Sequence, residues 1–380
     1  MKVYLDNAAT TKTAPEVAEA MQPFFTEKYG NASSIHSFGE EAKDALENAR
    51  QLIANYINAE PEQVIFTSGG TESDNIAIKG TAYALKKKGK HIITSKFEHP
   101  AVLECCQALE KEGFEVTYLG ISKDGFVNAE ELRKAIRDDT VLVTIMHANN
   151  EIGTIQDVEK IGKICGEKEI VFHTDAVQSL GKVPIDVKDF PVDLISFSSH
   201  KIHGPKGIGV LFVKNKKQLQ PLLHGGAQEF SLRPGTENVS GAVGFAKAVD
   251  MLSETDVKRM TELRDYLIEK LLEIPEACLN GSRENRLCNN VNVSFSHIEG
   301  ESILLGLDDK GVAVSTGSAC TSKKLEPSHV LLALGIKPEE AHGSVRLSLS
   351  KYTTKEEIDY TINSIKEVVE SLRKISPLGS

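Results

Sequence analysis

The stretch DLISFSSHKIHGPKG (residues 193–207) indicates the fold most directly. It begins with the apolar strand candidate DLISFS, and Lys201 follows shortly after the end of that strand. Short strands that are almost wholly apolar are typical of a sheet covered on both faces. In open sheets of this kind, ligands bind beside the carboxyl ends of the strands. Lys201 is therefore a candidate for chemistry, whereas Lys206, in the turn GPKG, is expected to face solvent.

On the N-terminal side of this stretch, apolar strand candidates alternate with helical patterns. The strand candidates are VIFT (64–67), HIITS (91–95), EVTYL (115–119), TVLVTIM (140–146) and IVFHT (170–174), and the main helical patterns cover 14–27, 40–57, 71–88 and 157–168, with another from Pro100. Such alternation predicts βαβ units, which build a mainly parallel sheet with helices on both faces.

The pattern changes after residue 256. A long helical pattern (257–272) is followed by the strand candidates VNVSF (291–295), VAVST (312–316) and SVRLSLS (344–350), and a last helix is expected over 354–374. The sequence therefore predicts an α/β fold with two domains. A large domain covers residues 15–255, and a smaller α+β domain combines residues 1–14 with residues 256–380.

The composition of the chain argues against some classes of binding protein. A chain of 380 residues with a net charge of −10 does not suit a nucleic-acid or anionic-membrane surface, which would repel it on average. Neither a long apolar run nor a signal-peptide core is visible, so we expect a cytoplasmic protein. The six cysteines form no C-x-x-C pair. Three of them, Cys105, Cys106 and Cys165, fall in helical patterns and are expected to be buried thiols.

Four motifs follow strand candidates and should meet at one edge of the sheet. They are FTSGGTESDN (66–75), EHPAV with His99, FHTDAVQS (172–179) with Asp175, and SSHK with Lys201. Each alone has an ordinary interpretation: a glycine turn, a structural histidine, a helix cap. Together they supply a phosphate cradle, an aromatic ring, a carboxylate and an amine, which is the set that pyridoxal 5′-phosphate needs.

These motifs also resemble a known family. The stretches YLDNAATT, FTSGGTESDN, EHPAV, HANNEIGTIQD, HTDAVQSLGKVPID, SSHKIHGPKGIG, RPGTEN and GSACTS look like those of the cysteine desulfurases of the NifS/IscS type, which are fold-type I enzymes of the class V aminotransferase superfamily. The resemblance runs in order from residue 3 to about residue 354. It implies a homodimer that uses pyridoxal 5′-phosphate and L-cysteine.

The resemblance also implies a role for each matching residue. Lys201 would form the Schiff base with the cofactor, Asp175 would pair with its ring nitrogen, and His99 would stack on the ring and act as acid or base. The residues implied to contact the phosphate or the phenolic oxygen are Gly70, Thr71, Ser198, His200, Asn150, Gln178 and, from a second subunit, Thr236. Arg346 would bind the substrate carboxylate with its planar fork, assisted by Asn31.

Cys320 stands apart from the other cysteines. It lies in STGSACTSKKLEP (315–327), a run of small and polar residues with no helical or strand period before Leu325, which predicts a loop. A thiolate there could accept sulfur from cysteine and become a persulfide. The resemblance implies transfer of that sulfur to an iron–sulfur scaffold of the IscU type or to tRNA thiolation. Transient ligation of an iron–sulfur cluster by Cys320 is a further possibility.

Three other functions stay open on sequence grounds. A selenocysteine lyase or another class V aminotransferase would share the cofactor residues, although Cys320 disfavours a transaminase. A catalytically silent subunit that only binds a scaffold protein is the third, and the presence of Lys201, Asp175, His99 and Cys320 argues against it.

Overall fold

A computed structural model describes residues 1–316 and 327–375 of the chain. Its largest element is a seven-stranded sheet with the spatial order β2-β8-β7-β6-β5-β3-β4. These strands are β2 (Val64–Thr67), β3 (His91–Ser95), β4 (Glu115–Leu119), β5 (Thr140–Thr144), β6 (Val171–Asp175), β7 (Leu194–Ser198) and β8 (Gly209–Val213). All neighbouring pairs are parallel except those made by β8, which runs antiparallel to both β7 and β2. The other six strands therefore share one direction.

Alternate residues of the central strands face opposite layers of helices. Phe172 and Ile195 belong to one apolar cluster, while their neighbours Val171 and Leu194 belong to another. The first cluster includes side chains from α1 (Pro15–Met21), α3 (Ser37–Tyr56), α7 (Val158–Glu167) and α8 (Val239–Asp250), and the second includes α4 (Gly70–Leu85) and α5 (Pro100–Lys111). The expected parallel sheet with helices on both faces is thus confirmed.

A second apolar core lies in the remainder of the chain. It is built on a three-stranded antiparallel sheet, in the order β12-β10-β9, and on the short parallel pair β1–β11. The strands are β1 (Val3–Tyr4), β9 (Ala277–Leu279), β10 (Asn290–Phe295), β11 (Val312–Ala313) and β12 (Ser344–Ser348). The helices of this part are α9 (Glu254–Leu272), α10 (Gly300–Asp309), α11 (His329–Ala333), α12 (Pro338–Ala341) and α13 (Lys355–Ile375). The boundary proposed between residues 255 and 256 falls in the first turn of α9.

Most predicted elements occur within a few residues of their expected bounds, and the short α2 (Pro23–Thr26) and α6 (Ala129–Ala135) complete the set. The expected helix over 14–27 is divided into α1 and α2. The strands β1, β8 and β9 and the helices α8, α11 and α12 were not predicted. Strand β8 follows the GPKG turn, and helix α8 contains two glycines that lower helix propensity. Within the described residues, no helix is both long enough and apolar enough to cross a membrane.

Candidate active site

Lys201 lies in a single 3₁₀ turn (Ser199–Lys201) that directly follows β7. Its Nζ donates hydrogen bonds to the main-chain oxygens of Ala8, at 2.6 Å, and Ala9, at 2.8 Å. The N-terminal segment around Ala8 and Ala9 therefore passes the carboxyl edge of the sheet next to Lys201. The amine is part-buried, in contact with carbonyl oxygens.

Asp175 is the last residue of β6, the strand beside β7, and only 5% of its surface is exposed. Its Oδ1 accepts a hydrogen bond from the main-chain N–H of Val177 at 2.9 Å. Burial raises the pKa of Asp175, and the positive charges of His99 and Lys201 oppose that rise. A carboxylate in this position is well placed to hold a cationic group of a ligand.

His99 caps the N-terminus of α5, which follows β3 on the same edge of the sheet. Its Nδ1 accepts a hydrogen bond from the N–H of Ala101 at 3.1 Å, which leaves the proton of the neutral ring on Nε2. Burial lowers the pKa of His99, with Lys201 and His329 acting in the same direction and Asp175 against it. The three side chains predicted to converge, those of Lys201, Asp175 and His99, are therefore within electrostatic reach of one another.

A cleft of about 450 Å³ opens beside this trio at the start of α4. It is lined by Thr10, Ser68, Gly69, Gly70, Thr71, Glu72, Ser198, His200, Lys206 and Gly207. Gly69 has a φ of +152°, in a region that side chains disfavour, and a Cβ on Gly70 would lie 2.7 Å from Val177 Cγ2. The four residues predicted to hold a phosphate, Gly70, Thr71, Ser198 and His200, therefore line one cleft at a helix N-terminus.

Arg346 lies in β12, with only 4% of its surface exposed. Its Nη2 contacts Asp6 Oδ1 at 2.9 Å, and its Nη1 donates to the main-chain oxygen of Asn150 at 3.2 Å. Its buried Nε has no hydrogen-bond partner among the described residues. Arg346 and Asn150, both predicted from the sequence, are thus in direct contact.

Of the remaining predicted site residues, one lies beside Lys201, two are exposed, and one is outside the described residues. Gln178 is buried, and its Nε2 donates to Ala8 O at 3.0 Å, next to the contact that Lys201 makes. Thr236 and Asn31 are exposed, and Asn31 Oδ1 accepts from the N–H of Ser33. Cys320 lies outside the described residues.

The N-terminal segment also contributes to the site, although the sequence motifs did not predict this. Thr10 Oγ1 lies 3.1 Å from His200 Nδ1, and Thr11 Oγ1 donates to the main-chain oxygen of His200 at 2.9 Å. Asp6 is the carboxylate partner of Arg346. The signal was present, because YLDNAATT was among the stretches that carry the family resemblance, but nothing in the segment itself indicates catalysis.

Lys182 is a second residue that the sequence analysis missed. Its Nζ donates to the main-chain oxygens of Gln178, at 3.0 Å, and Lys201, at 3.4 Å. Burial lowers the pKa of Lys182 to about 8. The Lys182 ammonium group therefore connects the turn after β6 to the main chain of Lys201 in the turn after β7.

Beneath Asp175 lies a fully buried pair, Asp74 and His173, with Oδ1 and Nε2 3.6 Å apart. Burial raises the pKa of Asp74, with Asp175 adding to the rise, and burial lowers the pKa of His173 to about 3. Both shifts favour the neutral forms, so the contact is not an ion pair. His173 instead contacts Thr144 Oγ1 at 2.8 Å and Ser196 Oγ at 3.0 Å. Asp175 has the N–H of Val177 and the charge of Lys201 to oppose the effect of burial, so it is better able than Asp74 to carry a negative charge.

The arrangement matches known proteins over almost its full length. The family model "Aminotransferase class-V" matches residues 3–361. A relative named "Cysteine desulfurase IscS", from Dictyoglomus turgidum, is 55% identical, and the match covers 99% of this chain and 96% of that protein. A solved structure named "NIFS-LIKE PROTEIN" has a TM-score of 0.92 at 42% identity, covering 98% of this chain and all of that one.

A second solved structure is described as "SspA in complex with cysteine". It has a TM-score of 0.84 at 39% identity, and the match covers 93% of this chain and 100% of that one. The matched family model begins before Asp6 and ends after Arg346, so it includes every site residue described above. The chain belongs to the aminotransferase class-V family and, within it, to the cysteine desulfurases of the NifS/IscS type.

Proposed function

We propose that this protein is a pyridoxal 5′-phosphate-dependent cysteine desulfurase, which converts L-cysteine to L-alanine. The observation that carries the proposal is the meeting of Lys201, Asp175 and His99 at one edge of the sheet, where the charges of Asp175 and Lys201 act on the His99 ring. The relative that is 55% identical and named for this activity supports the same reaction.

The cleft and the trio suit the cofactor's functional groups. Glycines and main-chain N–H groups at the start of α4 would provide a cradle for a phosphate, and Ser198 and His200 line the same cleft. Lys201 would hold the cofactor covalently, Asp175 would pair with the ring nitrogen, and Gln178 and Asn150 would lie near the phenolic oxygen. When bound, the cofactor supplies an electron sink for bonds to the substrate's α-carbon.

The residues around Lys201 would manage protons. The carbonyl oxygens of Ala8 and Ala9 hold the amine by its N–H groups. His99, neutral because burial lowers its pKa, carries its proton on Nε2 and can donate it there. We assign His99 as the acid and base beside the ring of the cofactor, and Asp175 as the fixed negative charge.

Arg346 would bind the carboxylate of L-cysteine. Its fork is held by Asp6 and by the main-chain oxygen of Asn150, and its buried Nε is unused by the described residues. A carboxylate arriving there would find a pre-oriented, desolvated cation. Asn31 would assist this contact, as the family resemblance implies.

Cys320 would be the sulfur acceptor. Its thiolate attacks the sulfur of the bound cysteine, so that an S–S bond forms while the C–S bond breaks, and the carbon takes the electron pair and then a proton. The products are L-alanine and a persulfide on Cys320, and no external oxidant is needed. This role rests on the resemblance of the GSACTS stretch.

A homodimer is part of the proposal. The rings of Tyr29 and Phe38 lie in tilted contact with centroids 5.7 Å apart, yet these residues remain 66% and 51% exposed. Phe25 is 61% exposed and Ile35 is 96% exposed in the same stretch of chain. Large apolar side chains concentrated in this way favour a protein–protein interface. The exposed Thr236 would then reach the phosphate of the partner subunit's cofactor.

The persulfide would be passed to an iron–sulfur scaffold protein of the IscU type or to tRNA thiolation, with no direct contact to nucleic acid. A cytoplasmic location suits this chemistry, because the thiols must stay reduced. The cysteines at 105, 106, 165, 278 and 288 are all free thiols. Ligation of a transient cluster by Cys320 remains a subordinate proposal.

Alanine formation from L-cysteine tests the proposal. The cofactor-loaded protein and its Cys320→Ser variant are compared, with bound cofactor quantified by absorbance in both. We expect alanine from the wild type, and at least a hundredfold less from the variant at equal cofactor content. Full activity in the variant would remove Cys320 from the mechanism. Alanine from neither protein, despite bound cofactor, would point to an aminotransferase or a silent scaffold-binding subunit.

A further inference from the structure

The turn that joins β7 to β8 brings Lys206 to the carboxyl edge of the sheet. Because β8 runs antiparallel to β7, the chain must reverse at the edge where Lys201 lies. Gly209, the first residue of β8, packs so closely that a Cβ there would lie 2.7 Å from the main chain of Gly69. Gly207 takes a φ of +80°, and Asn238 Nδ2 donates to its oxygen at 3.4 Å. The turn between β7 and β8 therefore packs against the main chain at Gly69.

The cleft beside this turn is poor in positive charge. The groups proposed to bind the phosphate are main-chain N–H groups, the Ser198 hydroxyl and His200. Burial lowers the pKa of His200 to about 4, with nearby lysines adding to the effect, so the ring is neutral at pH 7. Hydrogen-bond donors without charge compensate a phosphate dianion incompletely.

A carboxylate on the rim of the cleft makes the lack of positive charge greater. Glu72 lines the cleft, accepts a hydrogen bond from the main-chain N–H of Ser68, and pairs with Arg233 at 3.1 Å. Arg233 is therefore already engaged by a carboxylate. Among the described residues that line the cleft, Lys206 is the only lysine or arginine.

We propose that Lys206 supplies the positive charge that binds the phosphate group of the cofactor. This inference rests on the proposed function and reverses the expectation that Lys206 is only an exposed turn residue. Lys206 is exposed on the rim, so its ammonium keeps its hydration and pays no burial penalty when the site is empty. Its contribution is limited by solvent screening, as for other exposed ion pairs.

The test compares two ligands that differ only in the phosphate. Cofactor-free protein in phosphate-free buffer is titrated with pyridoxal 5′-phosphate and, separately, with pyridoxal, and binding is followed by absorbance. We expect Lys206→Met to raise the Kd of the phosphorylated ligand roughly three- to fivefold and to leave the Kd of pyridoxal within about twofold. Lys206→Arg should stay within about twofold for both ligands, since it keeps the charge.

Lys188→Met is the matched control, because Lys188 is also exposed and does not line the cleft. Added salt should weaken binding of the phosphorylated ligand less in Lys206→Met than in the wild type. Equal Kd values in Lys206→Met and Lys188→Met would overturn the proposal, as would equal weakening of both ligands. A wild-type protein that binds neither ligand would instead contradict the proposed function itself.

Discussion

At the residue scale, Glu98 shows how burial creates chemistry that a sequence does not reveal. Its carboxyl group is fully buried next to the site, where Ser95 Oγ lies 2.5 Å from Oε1 and the N–H of Met146 donates to both oxygens. Burial raises the pKa of Glu98 to about 8, and the charge of Asp175 adds to the rise. Glu98 therefore enters the folded state as a neutral acid below that pH.

A pH dependence of stability follows. Between pH 4.5 and about 8 the folded protein retains a proton on Glu98 that the unfolded chain releases, so the free energy of unfolding falls as pH rises through this window. The contribution is at most about 1.4 kcal/mol per pH unit. Glu98→Gln should remove it. Urea unfolding of both proteins at several pH values measures the difference, and parallel pH profiles would show that Glu98 is ionised in the fold.

The candidate catalytic residues could be predicted because they lie at or after the ends of apolar strands, whereas the residues that support them could not. Asp175 ends one strand and Lys201 and His99 follow two others, and parallel strands bring such positions together. Lys182 and Asp74 act through contacts made only in the folded chain: one joins two turns by donating to their carbonyl oxygens, and the other is neutral because it is buried. No spacing in the sequence encodes either property.

At the element scale, one buried ion pair anchors the segment that leads to Thr236. Glu229, Phe230 and Ser231 have successive positive φ values of 44°, 57° and 63°. Glu229 accepts two hydrogen bonds at 2.8 Å from Arg50 in α3, and a third at 2.8 Å from the N–H of Phe66 in β2. These contacts hold an unfavourable backbone conformation between a helix and the edge of the sheet.

Substitutions of the two carboxylate partners of Arg50 distinguish the buried ion pair from the exposed one. The side chains of Arg50 and Glu229 are 3% and 4% exposed, whereas Glu47, which lies 3.1 Å from Arg50, is 48% exposed. We expect Glu229→Gln to lower the free energy of unfolding by roughly 3 kcal/mol or more. Glu47→Gln should lower it by less than about 1 kcal/mol. Equal losses in urea unfolding would mean that the buried pair is not the anchor.

The absence of helix α8 from the sequence predictions has a physical explanation at this scale. Gly241 and Gly244 weaken the helical signal of α8, but α8 packs against α1 and α3. A Cβ on Gly244 would lie 2.5 Å from the sulfur of Met21. Gly244 is therefore required by the close packing of α8 against α1, which overrides its low helix propensity.

At the scale of the whole molecule, the exposed apolar segment from Phe25 to Phe38 predicts the oligomeric state. Ile35→Asp should convert a dimer to a monomer, since a charge would be buried at the interface. Ile35 is 96% exposed within one chain, so the fold of the subunit should be unaffected. Sedimentation velocity measures the change, and circular dichroism checks the fold.

Leu305→Asp is the control, because Leu305 is 70% exposed on α10, away from the segment. A dimer that survives Ile35→Asp, or that dissociates equally with Leu305→Asp, would place the interface elsewhere. Loss of the dimer should also weaken cofactor binding, because Thr236 would no longer reach the other subunit.

The N-terminal segment has a consequence for synthesis of the protein. Val3 and Tyr4 pair with Val312 and Ala313, and the N–H of Ala8 donates to Ser348 Oγ. Part of the support for the segment whose carbonyl oxygens hold Lys201 therefore comes from residues that the ribosome releases near the end of synthesis. A nascent chain that lacks residues 312–348 lacks these contacts, so we expect it to hold this segment less firmly. The first residues to be translated thus gain some of their contacts from among the last.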